Sequence, residues 1–350
     1  AVVLDKNGKV VGEGCHERAG KPHAEVIALD KAGEAARGGT LYVNLEPCCH
    51  TGRTPPCVNR VLASGVGCVV VGMKDPNPVV DGGGIVALRE KGVKVVEDVL
   101  SDECEWLNRA FVKRVTHGLP WLCLKLATTV DGKIADRNGS SRWISGEEAR
   151  QYVHELRNVY DVVLIGANTA LRDDPQLNVR GVENKRDPLR AVIDAELRLD
   201  PEARLLRQDT GGRTVIFARE SSVALKKARY PEHITLVGLQ PLSSSPDSPT
   251  ALSDLTSRDD ILDLAQGLRW LAEEGHNSVL CEGGGRLAGL LLRLGLVDEL
   301  NWIIAPKVLL DKDAVPAVFL DAENLLPQAL QLKSMKVEQL GCDILIKARV

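Results

Sequence analysis

Short apolar segments rich in β-branched residues alternate with helical segments along the whole chain, and this alternation constrains the fold more than any other feature. Near the amino end, an Asn-Gly pair at 7–8 separates two such segments, as in a two-residue β-hairpin. The alternation favours an α/β fold with layered, partly parallel sheets. We predict strands at 1–4, 10–15, 40–45, 66–72 and 93–96, and helices at 23–33, 56–64 and 84–91.

A second α/β series follows residues 116–120, where Gly and Pro interrupt a helical pattern and predict a linker. At about 150 residues per domain, the 350 residues predict two domains, which we place at 1–115 and 121–350. The segment 240–254 is rich in Ser, Pro and Asp, which predicts a flexible surface loop. In the second domain we predict strands at 121–127, 162–165, 191–193, 214–217, 234–237, 278–281, 301–304 and 343–347, and helices at 147–157 and 286–294.

The charge balance argues against a partner that is held by bulk electrostatics. Lys and Arg number 44 against 48 Asp and Glu, a net charge of -4, so neither nucleic acid nor an anionic membrane is expected as a partner. No apolar run approaches the roughly 20 residues that span a bilayer, and no signal-peptide pattern opens the chain. Nine scattered cysteines do not form a disulfide framework, so we expect a reducing, cytoplasmic compartment. We also expect a homo-oligomer.

Three residues have the pattern of a metal site. His23 begins a predicted helix, Cys48 follows a predicted strand, and Cys57 lies at the start of the next helix. The N-terminus of a helix carries partial positive charge and unpaired N–H groups, which stabilise a thiolate. One imidazole and two thiolates give zinc three protein ligands and leave a fourth position for water, which is the catalytic arrangement.

Glu25, two residues after His23, is placed to move protons between a zinc-bound water and an amino leaving group. The zinc-deaminase signature is His-x-Glu followed by Pro-Cys-x-x-Cys, whereas eight residues separate the two cysteines here. A closed structural site, with Cys49 or His50 as fourth ligand, is the alternative, and Glu25 would then be an ordinary solvated residue. The co-occurrence of all five signature positions in the right order favours the catalytic interpretation.

The motif Leu-Glu-Pro-Cys-Cys-His-Thr-Gly-Arg-Thr-Pro-Pro-Cys at 45–57, with His-Ala-Glu at 23–25, resembles the deaminase domain of the bifunctional riboflavin-biosynthesis deaminase/reductase. Lys-Asp-Pro-Asn-Pro at 74–78 and the glycines at 82–84 match the same family. The resemblance spans nearly the whole chain. It implies an N-terminal cytidine-deaminase-like domain with α/β/α layers, zinc held by His23, Cys48 and Cys57, and Glu25 as the catalytic acid and base.

The second domain contains a charged strand residue and a glycine-rich turn. The segment 121–127 places its leucines on one face and Lys125 on the other, so we expect Lys125 to enter a wet cleft or to meet an acidic partner. Glycines at 283–285 join a strand to a helix, where backbone N–H groups can approach a phosphate. A dinucleotide-binding Rossmann fingerprint does not fit, because apolar residues (303–304) stand where an acidic ribose ligand is expected. A plain helix-packing turn would have the same pattern.

The segments 125–135, 143–145, 166–169, 173–180 and 282–285 are similar to the reductase domain of the same family. The resemblance implies a dihydrofolate-reductase-like α/β fold that uses NADPH. It assigns substrate binding to Ser141, Arg157, Leu177, Arg180 and Glu282, although Arg157 could merely complement the dipole of its helix. It assigns the cofactor to Ala127, Trp143, Thr169, Asp173 and the segment Gly284, Gly285, Arg286, Leu287, Ala288, Gly289 and Leu290.

The resemblance implies two reactions on a small phosphorylated pyrimidine. Zinc-dependent deamination of 2,5-diamino-6-ribosylamino-4(3H)-pyrimidinone 5′-phosphate would be followed by NADPH-dependent reduction of its ribosyl chain, with Lys125 or Glu282 as proton donor. Two alternatives are a nucleic-acid base deaminase with an accessory domain, and a non-enzymatic nucleotide-binding protein with structural zinc. An aromatic content of 3% argues against the first alternative.

Overall fold

The computed structural model describes residues 1–17, 20–52, 54–78, 80, 82–207, 212–242, 260–320 and 326–350. The chain divides into two compact units, Ala1–His117 and Gly118–Val350. Arg53 lies outside the described residues, and so does the part of the predicted loop at 240–254 that follows Leu242. Among the described residues, no helix combines the length and the apolar character that crossing a membrane requires.

The first unit alternates strands and helices as predicted. Its elements are β1 (Val2–Leu4), β2 (Val10–Glu13), α1 (Ala24–Ala32), β3 (Thr40–Leu45), α2 (Cys57–Ser64), β4 (Cys68–Met73), α3 (Gly83–Glu90), β5 (Lys94–Val96) and α4 (Ser101–His117). Strands β1 and β2 form the predicted antiparallel hairpin, with Gly8 at a φ of 82°. The sheet has the order β2–β1–β3–β4–β5, and β3, β4 and β5 are parallel. The segments that leave β3 and β4 therefore start at the same edge of the sheet.

Helices cover both faces of this sheet. On one face Val71 of β4 belongs to a buried core with Leu29 of α1 and Leu88 of α3. The next strand residue, Gly72, faces the other way, and a Cβ atom there would collide with the Cys104 sulfur of α4. The expectation of a layered α/β/α unit is confirmed.

Helix α4 continues further than the sequence predicted. Thr116 and His117, which were assigned to the linker at 116–120, belong to this helix, and the Thr116 hydroxyl donates to the carbonyl oxygen of Val112. The prediction is wrong for these two residues because Gly118, with a φ of 66°, is what ends the helix. The connection to the next strand is therefore residues 118–120.

The second unit is built on a longer sheet. Strands pair in the order β11–β10–β9–β8–β12–β6–β13–β16–β15, all parallel from β11 to β13, while β16 is antiparallel to both of its neighbours. Strands β7 and β14 form a separate ribbon. The elements are β6 (Trp121–Thr129), β7 (Lys133–Ala135), α5 (Glu147–Val159), β8 (Val162–Gly166), α6 (Ala167–Asp173), β9 (Leu189–Ile193), β10 (Thr214–Arg219), α7 (Glu220–Lys226), β11 (Ile234–Leu239), α8 (Leu264–Glu273), β12 (Ser278–Cys281), α9 (Gly285–Arg293), β13 (Glu299–Ala305), β14 (Val315–Pro316), β15 (Ser334–Leu340) and β16 (Asp343–Arg349).

Strand β6 lies between β12 and β13, and its two faces enter different cores. Leu122, Leu124 and Leu126 pack in one core, whereas Cys123 packs in the other. The predicted alternation is confirmed, and Lys125 shares the Cys123 face. The carboxyl ends of β6, β8 and β12 meet at one edge of the sheet, which is where open parallel sheets bind ligands.

Candidate active sites

In the first unit, three predicted zinc ligands converge. His23 is the residue before α1, Cys48 follows β3, and Cys57 is the first residue of α2. The His23 Nδ1 atom lies 3.1 Å from the Cys57 sulfur and 3.6 Å from the Cys48 sulfur. Donor atoms of all three residues lie within 4.8 Å of one another. A tetrahedral zinc ion separates its nitrogen and sulfur ligands by about 3.6 Å, so the set fits zinc.

The two thiols share one proton, which favours a thiolate at Cys48 and a thiol at Cys57. A hydrogen bond from the Cys57 thiol lowers the pKa of Cys48 well below its usual value and raises that of Cys57. The Cys57 backbone N–H, at the start of α2, donates to the Cys48 sulfur at 3.4 Å. The helix terminus therefore stabilises a thiolate, as the sequence predicted. A divalent cation that takes the place of the shared proton would satisfy both sulfurs.

Glu25, in the first turn of α1, faces these ligands. Its side chain is 8% exposed, and burial raises the pKa of its carboxyl group above the usual value, against the opposing effect of His23. Glu25 in turn raises the pKa of the Cys57 thiol, so the two groups lie close enough to interact. A buried carboxyl group with a raised pKa, beside a metal site, is suited to accept and return a proton.

The alternative fourth ligands do not join the cluster. Among the described residues, the group of candidate metal ligands here consists of His23, Cys48 and Cys57. The Cys49 sulfur instead points toward Gly83 at the start of α3. The Nδ1 atom of His50 is buried without a hydrogen-bond partner among the described residues. Three protein ligands agree with the open catalytic arrangement rather than with a closed structural one.

Glu46 belongs to the sequence motif at 45–57, but the motif alone does not indicate its role. Its side chain is buried, and its carboxylate accepts backbone N–H bonds from Asp75, Gly82, Gly84 and Ile85 at 2.9–3.2 Å. It thereby joins the end of β3 to the start of α3 and to the segment between β4 and α3. An acidic residue directly before Pro-Cys, at the end of a predicted strand, was the available signal. Its role is to hold that segment beside the metal ligands.

In the second unit, an ion pair lies at the carboxyl edge of the sheet. The Arg157 guanidinium of α5 binds the Glu282 carboxylate with two hydrogen bonds, at 2.6 and 2.9 Å. Both side chains are largely buried, and Arg157 also donates to the carbonyl oxygen of Asn178 at 3.2 Å. Burial would raise the pKa of Glu282, but Arg157 and then Lys125 outweigh it and keep the pKa below its usual value.

Lys125 lies beside this ion pair. Because Leu124 of β6 pairs with Cys281 of β12, Lys125 and Glu282 are the next residues of adjacent strands. Burial lowers the pKa of Lys125, Glu282 opposes this shift, and Arg157 adds to it. The expected acidic partner is therefore Glu282, which is already paired with Arg157. An ammonium group with a lowered pKa at this edge can donate a proton.

The predicted cofactor residues lie near the edge of the sheet where β6, β8 and β12 end, either on these strands or on the segments that follow them. Thr169 and Asp173 are on α6, directly after β8, and an ideal Cβ at Gly284 would lie 3.3 Å from the Thr169 hydroxyl. Trp143 is 65% exposed, with the Arg150 guanidinium 4.7 Å from its ring centre. Ala127 lies on β6 opposite Ile303. The structure therefore brings Thr169 and Gly284 together.

Most of the predicted loop 284–290 belongs to helix α9, and its residues differ in exposure. Gly284 is the residue before the helix and Arg286 is exposed in its first turn, so the positive end of the helix dipole and a cation lie at the same end of α9, which suits a phosphate group. Ala288 is fully buried, and Gly289 packs against the Phe319 carbonyl oxygen. Leu287 and Leu290 pack against the core from its edge.

The predicted substrate residues differ in exposure. The Leu177 side chain is buried in the core, with a φ of 53° at its backbone, so only its main chain is available to a ligand. Arg180 is exposed, and its backbone N–H donates to His154. Ser141 lies in the partly buried segment before α5.

Comparisons with known proteins identify a family for each unit. Residues 120–346 match the family described as "RibD C-terminal domain", and residues 1–73 match "Cytidine and deoxycytidylate deaminase zinc-binding region". The riboflavin biosynthesis protein RibD of Escherichia coli K12 is 39% identical over 357 residues, covering 98% of this chain and 90% of the relative. The chain belongs to the RibD family. It is a bifunctional riboflavin-biosynthesis enzyme with a zinc-binding deaminase domain and an NADPH-dependent reductase domain.

Two solved structures have the same fold over nearly the whole chain. RibD of Acinetobacter baumannii is 34% identical with a TM-score of 0.83, covering 99% of this chain and 90% of that one. A diaminohydroxyphosphoribosylaminopyrimidine deaminase/5-amino-6-(5-phosphoribosylamino)uracil reductase of Thermotoga maritima is 33% identical, with the same TM-score of 0.83 and the same coverage. The expected cytidine-deaminase-like and dihydrofolate-reductase-like domains of a RibD protein are thus confirmed.

Proposed function

We propose that this RibD protein deaminates 2,5-diamino-6-ribosylamino-4(3H)-pyrimidinone 5′-phosphate and then reduces the ribosyl chain of the product to a ribityl chain. The convergence of His23, Cys48 and Cys57 beside the buried Glu25 carries this proposal. The name of the Thermotoga maritima relative, which joins a pyrimidine deaminase to an aminouracil reductase, supports both steps. We assign the first step to residues 1–115 and the second to residues 121–350.

For the first step, His23, Cys48 and Cys57 are the zinc ligands in this proposal. Zinc supplies there a Lewis acid that lowers the pKa of a water molecule. The Glu25 carboxylate accepts one proton from the attacking water and delivers it to a ring nitrogen of the pyrimidine. It then accepts the remaining hydroxyl proton and passes it to the amino group, which leaves as ammonia. The raised pKa of Glu25 supports this role, because a group that alternates between acid and base works best near the operating pH.

For the second step, Lys125 is the proton donor in this proposal. NADPH supplies a hydride for the anomeric carbon of the ring-opened ribose. Arg157 and Glu282 bind the substrate as one ion-paired unit, which holds Glu282 in a fixed orientation beside Lys125. Arg180 and Ser141 bind at the more open side of the site, and Leu177 contributes its main chain.

We assign NADPH to the edge formed by β6, β8 and α9. Thr169 and Gly284 lie close together there, with Asp173 at the end of the helix that carries Thr169, Ala127 on the strand and Trp143 exposed before α5. Within the helix, Gly285, Arg286 and Leu287 form the first turn that faces a phosphate. Ala288, Gly289 and Leu290 contribute by holding that turn close to the sheet.

A Glu25→Gln variant tests the proposal. Glutamine keeps the shape of the side chain but cannot accept the proton, so ammonia release should fall by about 10²–10⁴-fold. Zinc content should be unchanged, and NADPH oxidation on substrate that is already deaminated should survive. Loss of both activities, or of neither, would count against two independent sites.

We further propose that the protein is a cytoplasmic homo-oligomer without a nucleic-acid partner. The cysteines are free, as in a reducing compartment. Strand β15 is at the edge of its sheet with exposed side chains, including Val337 at 66%, and an exposed edge strand is a template for a second copy. The native mass in solution, compared between the wild type and Val337→Lys, tests this surface. A monomeric wild type would refute it.

A further inference from the structure

One residue of the segment between the two cysteine ligands, Thr54, contacts His23. The Thr54 hydroxyl oxygen lies 3.3 Å from the Nε2 atom of His23. The other ring nitrogen, Nδ1, is the atom that faces the sulfurs of Cys48 and Cys57. Both nitrogens of this imidazole are therefore engaged, one on the side of the metal site and the other on the side of Thr54.

The two contacts are chemically complementary. A neutral imidazole has one lone pair and one N–H group. When Nδ1 directs its lone pair at a metal ion, Nε2 must carry the proton, and it can then donate to a hydroxyl oxygen. Partners of this kind hold the tautomer and the ring orientation of histidine ligands, and their loss typically weakens metal binding by about 10–100-fold.

Local structure holds Thr54 in place. The Gly52 backbone N–H donates to the Thr54 carbonyl oxygen at 3.2 Å, which ties the main chain of Thr54 to Gly52. Pro55 and Pro56 follow, and their fixed φ angles limit the path from Thr54 to Cys57, where α2 begins. The rings of His16 and His23 also pack edge to face, with the ring centres 5.2 Å apart. The ring of His23 is thus held by two contacts in addition to its contacts with the cysteines.

We propose that Thr54 is a positioning residue of the zinc site, and that the eight-residue spacing between the cysteines serves to carry it. Its hydroxyl oxygen accepts a hydrogen bond from the Nε2–H group of His23 and so keeps the Nδ1 lone pair directed at the metal. The proposal rests on the proposed role of His23 as a zinc ligand. It gives a function to a segment whose length separates this sequence from the shorter Cys-x-x-Cys spacing.

The first test is zinc affinity, measured by competition with a chelator in the absence of substrate. Thr54→Val matches the volume of threonine but removes the acceptor, and we expect zinc to bind about 10–100-fold more weakly. Thr54→Ser restores the hydroxyl and should bind within about threefold of the wild type. Thr51→Val, at an exposed threonine of the same segment, is the matched control and should bind like the wild type.

His23→Ala separates this proposal from the assignment of the ligand. If His23→Ala loses zinc while Thr54→Val keeps the wild-type affinity, the role of Thr54 is refuted and the ligand assignment stands. If His23→Ala binds zinc like the wild type, the proposed zinc site itself fails.

A second measurement needs no variant. Long-range proton–nitrogen NMR spectra of the zinc-loaded wild-type protein report which nitrogen of His23 carries the proton. The proposal expects the proton on Nε2, and a proton on Nδ1 would overturn it.

Discussion

The two sites of this RibD protein differ in how their charged groups are balanced. In the first unit, the thiols of Cys48 and Cys57 and the imidazole of His23 converge on one point and share protons. In the second unit, Glu282 and Arg157 are already joined by two hydrogen bonds. The first set is therefore arranged around a cation that must be supplied, whereas the second is neutralised within the chain.

This difference predicts two kinds of failure. Removing a ligand from the first site should abolish metal binding while leaving a folded chain, because the hydrophobic core of the first unit does not include these side chains. Removing one partner from the second site should destabilise the unit, because the other partner is left as a buried charge without its two hydrogen bonds. The following variants test this contrast.

The largest effect is expected for Cys57→Ser. A serine hydroxyl does not ionise near neutral pH and is a poor zinc ligand, so zinc should be lost and ammonia release should fall by about 10³-fold or more. NADPH oxidation on deaminated substrate should stay within about twofold of the wild type. Cys15→Ser, at an exposed cysteine, is the control and should keep both activities. A parallel fall in NADPH oxidation would show that the sites are not independent.

The next effect concerns Lys125 and the pH dependence of reduction. Because the pKa of Lys125 is lowered, its ammonium form disappears on raising the pH before the usual lysine pKa of about 10.4 is reached. The kcat/KM for NADPH oxidation, which reports the free enzyme, should therefore fall with rising pH in this range. Lys125→Met should lose about 10²–10⁴-fold in rate. A wild-type profile that stays flat up to the usual lysine pKa would contradict the assignment.

A smaller effect is expected for the ion pair. Arg157→Met removes two hydrogen bonds and the guanidinium charge from the buried Glu282 carboxylate, so the free energy of unfolding of the second unit should fall by about 3 kcal/mol in denaturant titrations. Adding Glu282→Gln should recover part of this loss, since the buried carboxylate charge is then gone. Recovery would sharpen the contrast between the sites. Wild-type stability of Arg157→Met would contradict the view that Arg157 balances the buried charge of Glu282.

The smallest effect is expected at Glu46. Glu46→Gln turns one acceptor oxygen into an N–H donor that faces backbone N–H groups, which should cost the first unit about 1–2 kcal/mol. Hydrogen exchange at Gly84 and Ile85 should accelerate, while zinc remains bound. Glu13→Gln, at an exposed strand residue, should change stability by less than about 0.5 kcal/mol. Unchanged exchange at Gly84 would show that Glu46 does not hold the start of α3.

The metal cluster was accessible from the sequence because its chemistry is local. Histidine and cysteine are the ligands that zinc prefers, and His23, Cys48 and Cys57 lie close together along the chain at the ends of clear strands and helices. Glu46 and Thr54 were missed because their roles depend on which atoms they reach. Nothing in the pattern shows that a carboxylate will receive four backbone N–H groups or that a loop threonine will meet an imidazole.

The second unit was harder because its site joins distant segments. Lys125 was expected to meet an acidic partner, but the identity of that partner depends on β12 lying beside β6, which periodicity cannot reveal. Helix α8 was also missed, since Gly267 interrupts its apolar pattern. The structure gives the reason for that glycine: an ideal Cβ there would lie 3.3–3.4 Å from Leu239 and Phe217 atoms.

The position of β6 also has a consequence for synthesis of the chain. Strand β6 lies between β12 and β13, which follow it by about 150 residues and emerge from the ribosome roughly 10–30 s later. The deaminase ligands and α3 are complete before β6 is made. The metal ligands are therefore synthesised while both edges of β6 still lack the strands with which they pair, because β12 and β13 have not yet been translated.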